Sequence, residues 1–148
     1  MQITSPVFEN MGRIPDEYTC QGDDTNPPLE FSQIPEGAQS LVLIVEDPDA
    51  PSGTWDHWIL FNIDAQTTAI APNSVPSAAY QVFNSFGRIE YGGPCPPEGE
   101  EHRYYFKLYA LDQLLATDGT IVDKPSLITA MNGHILAQGE LVGLYSRD

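Results

Sequence analysis

Basic residues are scarce in this chain. Six Lys and Arg stand against 21 Asp and Glu among 148 residues, a formal net charge of -15. That balance excludes the broad basic surface on which general binding to DNA, RNA or anionic membranes depends. The acidic residues are scattered apart from "PPEGEEH" (96–102), so no acidic tail forms. A solubilising or salt-adapted surface is therefore favoured over an acidic face for a basic partner. No apolar run approaches the roughly eighteen residues of a membrane span. The opening "MQITSPVFEN" lacks the basic-then-apolar order of a secretory leader, so the cytoplasm is the expected location. Cysteines number only two, Cys20 and Cys95, with no C-x-x-C, which excludes a four-thiolate zinc site. Free thiols are expected in that compartment, with pairing across two loops as the alternative. No repeat or low-complexity linker divides the chain. Residues 1–148 read as one domain, long enough to bury a core without cross-links.

Turn formers, by contrast, are plentiful. Thirteen prolines and twelve glycines interrupt the chain too often for long helices, so a β-rich fold is expected. "SLVLIVED" (40–47) is a continuous apolar run of the kind found in a strand buried on both faces. "HWILFNI" (57–63) reads as its partner. Strict alternation would put His57, Ile59, Phe61 and Ile63 on one face, with Trp58, Leu60 and Asn62 on the other. "RYYFKLYAL" (103–111) alternates most clearly, Tyr104, Phe106, Leu108 and Ala110 against Tyr105, Lys107 and Tyr109. Helix signals come late. "DKPSLITAMNG" offers Asp123 as a cap, Pro125 in the first turn, apolar Leu127, Ala130 and Met131, and Asn-Gly as a stop. "HILAQGELVGLY" reads as a second, weaker helix, lowered in propensity by Gly139 and Gly143.

Two loops hold nearly all the polar surprises. "DPDAPSGTWDHW" (47–58) concentrates three aspartates, two tryptophans and a histidine in a rigid turn, although a plain turn needs no such aromatics. "YGGPCPPEGEEHRYY" (91–105) is rich in Gly and Pro and delivers His102-Arg103 to the start of a strand. Asp47, His57 and His102 thus sit at strand ends, where side chains are held rigidly. Each feature alone has an ordinary structural reading: Asp-Pro-Asp as a turn, a histidine beside tryptophan as packing. Their combination carries the functional reading.

"DPDAP", "HW" six residues on, "GGPCPP" and "HRYYFKLYAL" resemble, in order and spacing, the phosphatidylethanolamine-binding protein family, also called Raf kinase inhibitor-like. "YTCQGDDTNPPLEF" and "GHILAQGELVGLYSR" are similar to its short bacterial and archaeal branch, so the likeness covers essentially the whole chain. The resemblance implies a mainly β fold, two antiparallel sheets packed as a Greek-key-like β-sandwich with short C-terminal helices. It also implies a small pocket for phosphate-like anions or phosphorylated head groups. One wall would come from Asp47, Asp49, Ala50 and Pro51, with Trp55 and His57 following. Gly93, Pro94, Pro96 and Pro97 would face them, and His102 with Tyr104 would close the site. Arg103 is assigned a structural ion pair, Cys95 a packing role, and Leu144 and Tyr145 the pocket mouth. The segment Ser52 to Asp56 is shorter than in animal members, which puts their kinase-contacting surface in doubt here.

In such a pocket His57 and His102 would donate to phosphate oxygens, and Asp47 would accept from the second nitrogen of one imidazole. Backbone N–H groups of Gly92 and Gly93 would approach the ligand. Binding would then weaken as pH rises above the histidine pKa values. No cofactor and no metal are expected. A zinc site from Asp47, Asp49, His57 and His102 is the metal rival. A hydrolase is the enzymatic one, disfavoured because no G-x-S-x-G elbow is present. The alternative function is inhibition of a serine protease or kinase through surface loops. The partners expected are a phosphate-like anion or phosphorylated head group, a protease or kinase on the alternative reading, and a second copy in a homodimer. No nucleic acid and no integral membrane are expected.

Overall fold

The structure, a computed structural model, describes residues 1–147. Among them run the strands β1 (Gln2–Thr4), β2 (Gly12–Arg13), β3 (Leu29–Ser32), β4 (Ser40–Asp47), β5 (Trp55–Asp64), β6 (Ala69–Ile70), β7 (Tyr80–Gln81) and β8 (Glu101–Leu111). The helix α1 (Lys124–Met131) and the strand β9 (Ile135–Ser146) follow, and Asp16–Tyr18 forms a single 3-10 turn. One sheet has the order β1-β3-β6 and the other β2-β9-β8-β4-β5-β7. Every pairing is antiparallel except the short parallel contact of β2 with β9. The fold is mainly β, two sheets with one short helix.

The large sheet buries both faces. β4 is buried along its whole length, as its unbroken apolar run requires. Leu41, Leu43 and Val45 join Tyr104, Phe106 and Leu108 of β8 and Leu29, Phe31 and Ile70 of the small sheet in the inter-sheet core. Val42, Ile44, Ile59 and Phe61 face the other way, onto Leu127 and Met131 of α1. Asp123 caps that helix by accepting from the Ser126 amide at 3.0 Å, and the Ser126 hydroxyl in turn accepts from the Asp123 amide. Glu46 turns to the helix side as well, held by Lys107 and Lys124 at 2.5 and 2.7 Å.

Two departures from alternation shape β5. Between the pairs Leu41↔Ile63 and Leu43↔Leu60 it carries one residue more than β4. Asn62 sits there at φ 55, and its side chain closes both ends of the Leu115 peptide, accepting from N–H at 2.8 Å and donating to C=O at 2.9 Å. The bulge reverses the faces beyond it. Ile63 therefore packs with Trp58 and Leu60 between the sheets, while Asn62 reaches Leu115 on the helix side. The alternation expected over His57–Ile63 fails at this point. Asn62→Ala removes both bonds, strands a buried peptide group and leaves a left-handed residue without its local partner. A loss of about 2–4 kcal/mol is expected in urea unfolding, with Asn62→Gly recovering only the backbone part.

The second helix expected from "HILAQGELVGLY" is instead β9, paired with β8 from Ile135↔Leu111 to Ser146↔Glu101. Its glycines answer to packing. A Cβ on Gly143 would lie 2.5 Å from Ile14, and one on Gly139 2.9 Å from the Met1 carbonyl. Cys20 and Cys95 are likewise not free: they form a disulfide that spans 75 residues of sequence.

Candidate functional site

The second bulge in β5 builds the site. Between Val45↔Trp58 and Glu46↔Asp56 the extra residue is His57. Alternation breaks, so consecutive side chains both turn to the inter-sheet side: Trp58 enters the core and His57 packs edge-on against Tyr104, ring centroids 5.3 Å apart. Asp47 at the end of β4 and His102 and Tyr104 at the start of β8 lie on that same face. Together they floor a cavity of about 250 Å³ with walls of Ala50, Pro51, Ser52, Trp55, Phe86, Cys95, Pro96 and Pro97.

The polar groups are tightly ordered. Asp47 Oδ1 accepts from the Asp49 amide at 2.7 Å, and its Oδ2 lies 2.7 Å from His102 Nδ1, both side chains buried. The other nitrogen of His102, Nε2, meets the half-exposed Glu100 carboxylate at 3.1 Å. Burial opposes charge on His102, yet the bonds to Asp47 and Glu100 outweigh it and raise the imidazole pKa above its ordinary value. His57 goes the other way. Desolvation lowers its pKa against the help of the Gly92 carbonyl and of Asp47, Asp56 and Asp24. His57 Nδ1 donates to that carbonyl at 2.7 Å. One imidazole is thus poised as a cation and its neighbour as a neutral ring.

Nine of the sequence-derived residues converge here: Asp47, Ala50, Pro51, Trp55, His57, Pro96, Pro97, His102 and Tyr104. Four do not line the cavity. Asp49 faces outward into a two-pronged pair with Arg103, at 2.8 and 2.9 Å, which pulls its carboxyl down to about 2. Arg103 therefore serves the ion pair assigned to it. Gly93 and Pro94 stand behind the wall, the first donating to Asp24 and the second accepting from the Cys20 amide. Tyr145, expected at the mouth, is buried beside the 3-10 turn, where its hydroxyl donates to Asp16 at 2.8 Å. The segment that carries both residues, read as a helix, is a strand, and Leu144, also expected at the mouth, borders a separate surface cleft with Arg103 and Met11.

The glycine amides are also committed elsewhere. Gly92 N–H donates to the His57 carbonyl and Gly93 N–H to Asp24, so neither is left for an anion. Gly93 is glycine because a Cβ would strike the Tyr18 carbonyl at 2.4 Å. Phe86 went unread in the sequence. Its ring stands edge-on to both His57 and Trp55, and the only hint was Gly92, where a Cβ would collide with that ring. Among the described residues no group of three His, Cys, Asp or Glu is arranged to hold a metal.

Comparison with known proteins places these features in context. The family model described as phosphatidylethanolamine-binding protein matches residues 4–146. A curated relative from Methanothermobacter thermautotrophicus, named UPF0098 protein, is 43% identical over 152 residues and covers 99% of either chain. The crystal structure of the phosphatidylethanolamine-binding protein homolog CT736 from Chlamydia trachomatis superposes with a TM-score of 0.94 at 46% identity, covering 99% of this chain and 97% of that one. Escherichia coli YbcL gives 0.90 at 30% identity, with 99% and 98% covered.

Proposed function

Because this chain belongs to the phosphatidylethanolamine-binding protein family, we propose that its cavity binds a phosphate-like anion or the head group of a phosphorylated molecule, without turning it over. One observation carries the reading. His57 and Tyr104 are 4% and 1% exposed, both line the cavity, and each keeps one polar atom, Nε2 and the hydroxyl, without a hydrogen-bond partner among the described residues. Neither atom is sealed from solvent. Both atoms converge on a largely apolar cavity and are free to bond a molecule entering from solvent, which supports reading the cavity as a ligand site. About 250 Å³ suits a phosphoryl group with a short substituent.

The surroundings of the imidazoles support binding without turnover. Among the described residues no serine or threonine hydroxyl bonds to His57 or His102, and the one sulfur in the wall, that of Cys95, is tied in a disulfide. The disulfide also bears on location. Such bonds persist in oxidising compartments, which argues against the reducing cytoplasm that the sequence suggested; alkylation of the protein in intact cells decides this.

The test is an NMR titration of the three imidazoles with inorganic phosphate and with phosphorylethanolamine. Saturable shifts are expected at His57 and His102, with His134, on the surface beside Asp112, unmoved. His57→Ala should weaken binding at least tenfold. No shift at millimolar ligand would defeat the anion reading and leave protease or kinase inhibition through the loops as the function to pursue.

A further inference from the structure

We propose that the cavity selects the singly charged, protonated form of a phosphoryl group, with His57 Nε2 accepting the ligand's P–OH and the Tyr104 hydroxyl donating to a P–O oxygen. This deepens the anion reading above and rests on it.

The argument starts from the Gly92 carbonyl. A carbonyl only accepts, so the 2.7 Å contact fixes the proton of His57 on Nδ1. In a neutral ring the opposite nitrogen, Nε2, then offers a lone pair. The titratable groups that act on the ring are Asp47 from β4 and His102 and Tyr104 from β8, which share its cavity, with the charges of Asp56 on its own strand, itself paired with Lys124, and of Asp24 from the loop before β3. The three carboxylates favour an imidazolium, but burial outweighs them and His57 stays neutral at pH 7. A phosphate dianion or a sulfate would press an oxygen lone pair against another lone pair. A P–OH turns the same contact into a hydrogen bond.

The rest of the cavity agrees. Asp47 has one N–H on each oxygen and its charge is set against the single cation His102. Glu100, on the far nitrogen of His102, adds a further negative charge. A carboxylate, a lone pair and the neutral hydroxyls of Tyr104 and Ser52 disfavour two negative charges on the ligand. Pro51, Trp55, Phe86, Pro96 and Pro97 make the walls largely apolar, which strengthens that preference beyond its value in open water.

The experiment uses the unaltered protein and three probes: methylphosphonate, difluoromethylphosphonate and methanesulfonate. Fluorination moves the second ionisation of the phosphonate to much lower pH, and the sulfonate is a permanent monoanion with no proton to give. Calorimetric affinities are measured between about pH 5 and 8. Affinity for each phosphonate should fall as that ligand loses its second proton, so the midpoint moves down with the fluorinated probe. Methanesulfonate should bind at least tenfold more weakly than protonated methylphosphonate. In the complex, the nitrogen NMR signal of His57 Nε2 should remain that of an unprotonated, hydrogen-bonded nitrogen. A midpoint shared by both phosphonates, equal binding of the sulfonate, or a protonated Nε2 would each overturn the proposal while leaving an anion site in place. No saturable binding of either phosphonate at any pH would overturn the anion reading itself and the proposal with it.

Discussion

Reduction of the Cys20–Cys95 disulfide will lower the unfolding free energy by about 2–4 kcal/mol. The bond closes a loop across a sequence separation of 75 residues, and a cross-link of that span removes much of the freedom of the unfolded chain. Its native-state role adds to this. Cys20 lies beside the 3-10 turn, and its amide also donates to the Pro94 carbonyl at 3.1 Å, so the turn and the cavity wall are fastened twice. Urea unfolding with and without a phosphine reductant measures the effect. The midpoint should fall and the slope should steepen, because the reduced unfolded chain exposes more surface. The double variant Cys20→Ser/Cys95→Ser should reproduce the reduced protein. Binding of phosphorylethanolamine should weaken in parallel, since Cys95, Pro96 and Pro97 form one wall. An unchanged midpoint would mean that the two loops hold each other without the bond.

The disulfide was not legible because two cysteines far apart in sequence carry no distance information, and the apparent compartment pointed to free thiols. The strands were legible where one periodicity ruled. β8 alternates as written, its even-numbered residues from His102 to Ala110 lying buried on one side. β4 is apolar at every position because both its faces are covered. β5 has the same kind of composition, yet two added residues reset its faces, and nothing in "HWILFNI" announces them except Asn62, a residue that tolerates positive φ. The bulge at His57 is also what brings that ring to the cavity. Alternation alone would have turned it away with Ile59 and Phe61.

β9 misled for a related reason. Gly139 and Gly143 weaken a helix and a strand alike, so local propensity could not discriminate between them. They are there because Met1, Ile14 and Phe8 pack on the bare backbone, a tertiary demand that no window of sequence displays. The site was legible as residue types delivered to strand ends. What the types could not reveal is division of labour: Asp49 to Arg103, Gly93 to Asp24, Tyr145 to Asp16. Proteins place such polar residues in clusters, and only geometry separates those that hold the site from those that face a ligand.

Asp47→Ala will be among the most damaging single substitutions outside the apolar core, at about 3–5 kcal/mol. It strips a buried imidazole of its partner and leaves the Asp49 amide without an acceptor. Asp47→Asn, which keeps the volume, separates the charge from the packing through its pH dependence. The raised pKa of His102 means that its stabilisation is complete below the unfolded imidazole value of about 6.5 and is lost as pH rises through the folded one. The lowered pKa of His57 acts in the opposite sense. The unfolded chain takes up its proton first, so stability falls as pH drops below about 6.5. The unaltered protein should therefore show its highest urea midpoint near neutrality, declining on both sides. In Asp47→Asn the alkaline decline should flatten, because His102 no longer holds its proton above the unfolded value. The acid decline should steepen, because both imidazoles then resist protonation in the fold. Imidazole proton shifts followed across the same range assign each limb to its ring. An alkaline limb unchanged in Asp47→Asn would show that Glu100, not Asp47, sustains the charge on His102.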